Sequence, residues 1–231
     1  MYNIQKKFID KNIIIFNIYS KKEFLYLKKF TESWLNKIFD KYDLNKKKIH
    51  ITNYHKQKVN FKEHSMIFHR NNRHKIIPVK LKKILLNKRF KNLISNIGFK
   101  KIKIWNERYG EIAFRLVRPK SSDGYPFTKK NWGTAKNVYS VWVPIFGFKS
   151  TSTIRLVKNS HNEIFKKKYF KNSKFEKKEM RLNEKINNKK IFSPNLKPGD
   201  VVIFGPNVLH SEDNNCSRYT RINLEFRFKS I

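Results

Sequence analysis

The sequence predicts a mainly β domain, arranged as a β-sandwich or barrel with helices from the N-terminal half packed against it. From residue 101 onward the chain consists of short β-like runs separated by turn residues. Residues 1–100 instead contain stretches whose apolar residues recur at helical spacing. No internal repeat or long low-complexity linker interrupts the 231 residues, so we expect a single domain over residues 1–231, with residues 1–100 as a mostly helical leader.

Two helical regions are expected in this leader. Ser20 and Glu23 have the spacing of a capping box, and apolar residues follow at helical intervals, which predicts an amphipathic helix over residues 20–41. A second helical region is expected from about residue 78 to 97. A polar stretch between them contains His55, His64, His69 and His74. Their spacings of nine, five and five residues match neither a helical metal pair nor a zinc knuckle, so we expect solvated surface histidines.

Seven β-strands are expected in the C-terminal half. They cover residues 101–105, 111–119, 137–147, 152–158, 189–192, 200–204 and 221–228, of which 189–192 is weak. A Lys- and Asn-rich segment over residues 161–190 is interpreted as an insertion or flap. In the last strand Arg221, Asn223, Glu225 and Arg227 alternate with apolar residues, so one face packs and the other is polar. That polar face either meets water or lines a pocket.

The chain is strongly basic. Its formal net charge is +36, from 53 Lys and Arg residues against 17 Asp and Glu residues. A charge of this size would normally put nucleic acid or an anionic membrane surface first among partners. The basic residues are mostly lysines spread along the whole chain, without an Arg-rich arm or a nucleic-acid motif. This distribution favours a generally cationic surface over a specific nucleic-acid footprint.

Cysteine content and the N-terminal segment predict a cytoplasmic protein. The only cysteine, Cys216, cannot form an internal disulfide, which indicates a reducing compartment. The apolar stretch "NIIIFNIY" at residues 12–19 lacks a small-residue cleavage site and is too short to span a bilayer. We therefore expect no membrane span.

The order of motifs after residue 100 carries a resemblance to a known family. "LKPGDVVIF" at 196–204 is followed by a turn and His210, and Arg221 and Asn223 follow in the next strand. Upstream stand "FRLVRP" (114–119), "VWVPIFGF" (141–148) and "TIRLVKNSH" (153–161). This order resembles the phytanoyl-CoA dioxygenase-like family of Fe(II)/2-oxoglutarate-dependent oxygenases. The resemblance implies a double-stranded β-helix, or jelly roll, over residues 101–231, and hydroxylation of a small metabolite, lipid or sugar-linked substrate.

The resemblance also implies roles for particular residues. His210 would be the distal iron ligand, and Arg221 with Asn223 would bind 2-oxoglutarate, since a guanidinium suits a bidentate pair with a carboxylate. The other two iron ligands should come from a His-x-Asp pair within "YPFTKKNWG", residues 125–133. Thr128 and Lys130 stand at those two positions. Threonine offers a weak neutral oxygen and lysine a positive charge, so the site departs from the facial triad and iron binding is doubtful.

This departure leaves a second hypothesis, a non-catalytic jelly roll that binds an anionic ligand in the former active-site pocket. Lys130 would then point into the pocket, near His210 and facing Arg221. Trp132 and Arg118 are further candidates for its lining. Alternatively, Lys130 and the preceding lysine simply face solvent, as adjacent lysines in a loop usually do.

Other catalytic arrangements fit less well. His161 and Glu163 form a His-x-acid pair 49 residues before His210, but residues 164–199 contain too few predicted strands for the jelly roll. Asp123 could supply a carboxylate, which would still leave one imidazole. Ser160 next to His161 does not make a nucleophile and base, because adjacent residues on a turn rarely meet in that way and no orienting acid is evident.

Overall fold

The computed structural model describes residues 2–43, 50–57, 59–65, 73–74, 77–106, 111–121, 123–133, 137–172, 177–212 and 215–231. The helices are α1 (Tyr2–Lys11), α2 (Lys21–Lys41), α3 (Val79–Leu85) and α4 (Lys88–Asn96). The strands are β1 (Ile13–Asn17), β2 (Arg73–His74), β3 (Ile102–Ile104), β4 (Ile112–Val117), β5 (Tyr139–Phe146), β6 (Arg155–Val157), β7 (Lys167–Asn172), β8 (Lys177–Leu182), β9 (Ile191–Phe192), β10 (Asp200–Phe204), β11 (His210–Ser211) and β12 (Arg221–Ser230).

The strands form a jelly roll, so the predicted fold class is confirmed. The larger sheet has the order β1-β10-β5-β12-β4-β2, with β3 also paired to β12, and the smaller sheet has the order β11-β6-β9. All of these pairs are antiparallel. A bridge between Thr128 and His210 adds the loop after β4 to the edge of the smaller sheet. Strands β7 and β8 form a separate hairpin.

Each face of the larger sheet has its own hydrophobic core. The outer face packs against the helices, where the ring of Trp34 in α2 stacks on Phe114 of β4 with centroids 4.3 Å apart. The inner core lies between the two sheets and is built around Trp142, Leu156 and Phe204. Burial of both faces explains why the central strands β5 and β10 are almost uniformly apolar.

The predicted helices are present, with one break. Helix α2 begins after Ser20, whose hydroxyl accepts a hydrogen bond from the Glu23 amide, and the Glu23 side chain binds back to the Ser20 amide. The second helical region is divided into α3 and α4 because the side chain of Asn87 caps a new helix at the Phe90 amide. Helix α1 was not predicted. No described helix is long and apolar enough to cross a membrane.

The seven predicted strands correspond to β3, β4, β5, β6, β9, β10 and β12, with boundaries that agree within three residues. Strand β1, which covers part of the apolar stretch at residues 12–19, was not predicted as a strand; it pairs with β10 at the sheet edge. The segment 161–190, whose order was not predictable, contains the β7–β8 hairpin.

Candidate functional site

The polar face of β12 is buried between the two sheets. The side chains of Arg221, Asn223 and Glu225 are at most 2% exposed. The interpretation of this face as a wet outer surface is therefore wrong. Across the sheet, Asn223 lies opposite Arg115 of β4, and Glu225 lies opposite Trp142 of β5. Directly opposite residues of antiparallel strands share a face, so these side chains point into one interior region.

His210 enters this region from the smaller sheet. Backbone hydrogen bonds of 2.9 and 3.0 Å join it to Thr128, and its Nδ1 lies 2.9 Å from the carbonyl oxygen of Val208. Because a carbonyl oxygen only accepts, Nδ1 carries the proton and Nε2 keeps its lone pair. Burial and the positive charge of Lys130 lower the pKa of His210 to about 3. The imidazole is therefore neutral at physiological pH.

Lys130 also points inward, and the interpretation that it faces solvent is wrong. Its Nζ lies 2.9 Å from Oε1 of Glu225, and its side chain is 15% exposed. Burial and the neighbouring Arg227 lower the pKa of Lys130, while Glu225 opposes that shift. The preceding Lys129 is buried as well, and its Nζ donates to the carbonyl oxygens of Ser160 and Glu163 at 2.6 and 2.8 Å.

Glu225 is the centre of a buried ion network. Besides Lys130, it contacts Nε of Arg227 at 2.9 Å and Nη2 of Arg115 at 3.5 Å. Burial alone would raise the pKa of Glu225, but these three cations hold it well below the usual range. Oε2 of Glu212 lies 3.8 Å from Nε of Arg115.

The interior carries more positive than negative charge. Its cations are Arg115, Lys130, Arg221 and Arg227, and its carboxylates are Glu212 and Glu225. Four cations minus two carboxylates leave an excess of two positive charges among these described side chains. In a low-dielectric interior such an excess is unfavourable unless an anion or solvent balances it.

The residues at the expected iron position do not fit iron. The Thr128 hydroxyl donates a hydrogen bond to the carbonyl oxygen of Met180 at 3.0 Å, and Lys130 brings an ammonium group that is bonded to Glu225. Within the part of the chain that the structure describes, no group of three His, Cys, Asp or Glu residues could hold a metal ion. A site for a dication needs anionic or neutral donors rather than an ammonium group.

Arg221 is fully buried and is held by backbone carbonyls. Its guanidinium donates to Ser152 and Thr153 at 3.4 Å and to Glu212 at 2.6 Å, and it lies over the ring of Trp142. These contacts connect two loops to β12. The role of Arg221 as a 2-oxoglutarate ligand stays a prediction.

Arg115 and Asn223 are among the interior residues with unused hydrogen-bonding capacity, together with Trp142, Glu212 and Glu225. No described residue forms a hydrogen bond with Nε or Nη1 of Arg115, or with either side-chain atom of Asn223. The sequence interpretation included Asn223 but missed Arg115. The available signal was its position in "IAFRLV", where it is a basic residue in an otherwise apolar strand.

Arg118 does not join the interior group. It ion-pairs with Asp123 at 2.7 Å, so the pocket-lining interpretation of Arg118 is not supported by its contacts, and the Asp123 carboxylate is already engaged by Arg118. His64 lies 3.6 Å from Asp123 and is 3% exposed, so its assignment to the solvated surface is wrong. Burial lowers the pKa of His64 to about 4, and the short distance is therefore not an ion pair at neutral pH.

The remaining candidates lie at the edges of the region. Trp132 is half-buried in the helical turn that begins at Lys130. Glu163 pairs with Lys190 at an exposed position. The Ser160 hydroxyl donates to the Val157 carbonyl and accepts from the Leu209 amide, which gives it a structural role. His69 and the side chain of His74 lie outside the described residues.

Comparison with solved structures finds non-heme oxygenases. The apo form of the non-heme monooxygenase ThoJ aligns with a TM-score of 0.63 at 10% identity, over 98% of this chain and 77% of ThoJ. EctD from S. alaskensis, in its apoform, aligns with a TM-score of 0.60 at 13% identity, over 100% and 76% of the two chains. EvdO2 from Micromonospora carbonacea var. aurantiaca, complexed with 2-oxoglutarate, aligns with a TM-score of 0.58 at 10% identity, over 100% and 91%.

No protein-family model and no curated protein matches the sequence. At the identities of the solved structures the similarity establishes the fold alone. The chain has the fold of the non-heme oxygenases, and its closer resemblance to the phytanoyl-CoA dioxygenase-like family stays a prediction. EctD has been solved with bound Fe and with 2-oxoglutarate and 5-hydroxyectoine, and those ligands are properties of EctD.

Proposed function

We propose that this protein is a non-catalytic jelly roll of the oxygenase type, which binds a small anionic ligand between its two sheets. The observation that carries the proposal is the cross-strand pair Arg115 and Asn223: Nε and Nη1 of Arg115 and the side-chain nitrogen of Asn223 form no hydrogen bond with a described residue. Buried donors without partners are costly, and a carboxylate or phosphate would satisfy both at once.

The charge of the region favours an anion over a neutral ligand. The excess of two positive charges persists because His210 is neutral and Glu225 is already shared by three cations. An anion would lower the electrostatic energy of the interior, whereas a neutral ligand would leave it unchanged. A small dicarboxylate such as 2-oxoglutarate is one candidate, with Arg221 two residues from Asn223 on the same face.

The test compares wild-type protein with two arginine variants of the same strand region. Calorimetry and thermal unfolding are measured with 2-oxoglutarate, glutarate and inorganic phosphate in turn. We expect at least one of these anions to bind the wild type and raise its Tm. Arg115→Met should abolish that effect, while Arg118→Met, which breaks the Asp123 pair outside the interior, should lower stability yet keep the response. Binding that survives in Arg115→Met, or no binding of any of the three anions, would refute the proposal.

A second candidate is the reaction of the resembled family, hydroxylation of a small metabolite, lipid or sugar-linked substrate with Fe(II) and 2-oxoglutarate. One observation favours it: the Nδ1 proton of His210 is held by a carbonyl, which is the tautomer that leaves Nε2 available to a metal. Anaerobic addition of iron(II) and 2-oxoglutarate tests it through the visible charge-transfer band and succinate formation. Turnover that is abolished by His210→Ala would replace the non-catalytic proposal.

A designed double variant tests whether the family's His-x-Asp pair is correctly aligned with positions 128 and 130, on which both hypotheses depend. If Thr128 and Lys130 occupy the former ligand positions, Thr128→His combined with Lys130→Asp should create iron(II) affinity together with His210. The single variant Thr128→His, which keeps the ammonium group at position 130, is the matched control and should bind far more weakly. A folded double variant with no gain over this control would contradict the register.

A further inference from the structure

The β7–β8 hairpin is an arm attached to the jelly roll near the candidate site. It forms its own two-stranded sheet and does not extend either sheet of the core. Its base is fixed by the Leu182 amide, which donates to the Phe127 carbonyl, and by the Thr128 hydroxyl, which donates to the Met180 carbonyl. A hydrogen bond from the Asn183 amide to the Lys166 carbonyl closes the base. The arm therefore has a defined point of attachment, while residues 167–170 of its first strand are exposed.

The exposed side chains of β7 combine aromatic rings with lysines. Tyr169 is 62% exposed and Phe170 is 37% exposed, and the Arg181 guanidinium lies over the Phe170 ring. The flanking lysines at 166–168 are all exposed. Residues 164–182 contain eight Lys and Arg among nineteen residues, against 53 among 231 for the whole chain, so positive charge here is nearly twice as dense as average.

We propose that this hairpin binds single-stranded nucleic acid without sequence preference, with the lysines along the phosphate backbone and Tyr169 stacked on an unpaired base. Interleaved cations and exposed rings are the elements from which such sites are built. The high net charge of the chain would assist encounter with any polyanion, and the hairpin supplies the local contacts that bulk charge lacks.

The arrangement of the side chains favours this partner over a membrane or a duplex. Successive residues of a strand point to opposite faces, so Tyr169 and Phe170 cannot form the single apolar face that insertion into a bilayer interface requires. In a duplex the bases are already stacked on each other and offer no free face to Tyr169. An unpaired strand offers a free base face to Tyr169 and phosphates to the lysines.

The experiment uses the full chain and fluorescence anisotropy, at 150 mM salt for the affinities and over a series of salt concentrations for the salt slope. The probes are a mixed-sequence single strand, the duplex of the same sequence and vesicles with anionic lipid. Tyr169→Ala changes no charge, and its matched control is Tyr42→Ala, which removes another exposed tyrosine with a lysine over its ring. A second pair compares the double change Lys167→Gln and Lys168→Gln with Lys82→Gln and Lys83→Gln, which are adjacent exposed lysines on α3.

We expect Tyr169→Ala to weaken single-strand binding by at least about fivefold, and Tyr42→Ala by less than about twofold. Substitution of the β7 lysine pair should reduce the slope of log affinity against log salt concentration by about 1.4. Substitution of the α3 pair should reduce it by less. Equal effects of the two tyrosine variants, equal affinity for duplex, or a preference for vesicles would overturn the proposal. Absence of single-strand binding by the wild type at 150 mM salt would also overturn it, because any binding at lower salt would then come from bulk electrostatics. These outcomes are independent of anion binding between the sheets, which the Arg115→Met comparison tests.

Discussion

Removing either end of the Lys130–Glu225 ion pair should destabilise the protein by very different amounts. Glu225 is bonded to three cations, so Lys130→Met leaves it paired with Arg227 at 2.9 Å and with Arg115 at 3.5 Å. Glu225→Gln, in contrast, leaves those three cations with Glu212 as the remaining carboxylate of the interior. The two substitutions therefore change the same pair but produce different electrostatic states.

The magnitudes follow from the partners that remain. Breaking a buried ion pair so that a charge is left uncompensated costs about 3 to 5 kcal/mol, and we expect this range for Glu225→Gln. Lys130→Met removes one cation from a crowded group and puts an apolar side chain in its place, which should cost no more than about 1 kcal/mol. The double variant should be more stable than the sum of the two single effects, since loss of Lys130 relieves part of the excess charge created by Glu225→Gln.

Urea unfolding at pH 7 and a fixed low salt concentration measures all three variants. A conservative surface change such as Lys190→Met, which removes the exposed partner of Glu163, is the control and should shift the free energy of unfolding by less than about 1 kcal/mol. If Lys130→Met destabilised the protein as much as Glu225→Gln, or if the two effects were additive, the network would not be organised around Glu225 and the argument from charge excess would fail.

Three further changes test separate parts of the structure. His210 has a pKa of about 3 when folded, so the unfolded chain binds the proton first; stability is full above about pH 6.5 and falls as pH decreases. Between pH 7 and 4.5 the free energy of unfolding of the wild type, measured in urea, should therefore fall by about 2 to 3 kcal/mol more than that of His210→Gln, and equal pH dependence would contradict this. Ser20→Ala should cost about 1 kcal/mol by removing the capping box of α2, measured as a lower Tm. Gly147→Ala should prevent folding or cost several kcal/mol, because φ is +63° and an added Cβ would collide with the Thr220 carbonyl; circular dichroism should show Gly133→Ala unaffected, since its nearest neighbour would lie at 3.7 Å.

The fold was predictable where local signals and tertiary contacts agree. Helix α2 begins at the capping box that the sequence shows, and each alternating or apolar run after residue 100 became a strand. Strand β1 was missed because its apolar run precedes the predicted β region and pairs only with the distant β10. The β7–β8 hairpin was missed because its residues are polar and lack the apolar alternation that identifies a strand.

Some of the residues that lie in the interior region could be named from the sequence, but their contacts with each other could not. The resemblance brought Thr128, Lys130, His210 and Asn223 to attention, and the structure places their elements around one interior region. It gave no indication that Lys130 would bond to Glu225, because 95 residues separate them and the pairing depends on how β12 lies in the sheet. Arg115 was overlooked for the same reason, since its burial follows from its position opposite Asn223.

The buried ion network around Glu225 is relevant to function, because a contribution to stability does not explain why the interior carries surplus cations. Replacing a buried ionic group by apolar side chains of similar volume is often neutral or stabilising, so a chain that needed only a core would gain nothing from two surplus cations there. A ligand changes this balance: an anion that binds only the folded state adds RT ln(1 + [L]/Kd) to stability. The dependence on anion concentration separates the two explanations. A network that serves only as structure should respond to phosphate and glutarate in proportion to ionic strength, and equally in the wild type and Arg115→Met. A binding site should saturate, and it should lose that saturation when Arg115 is removed.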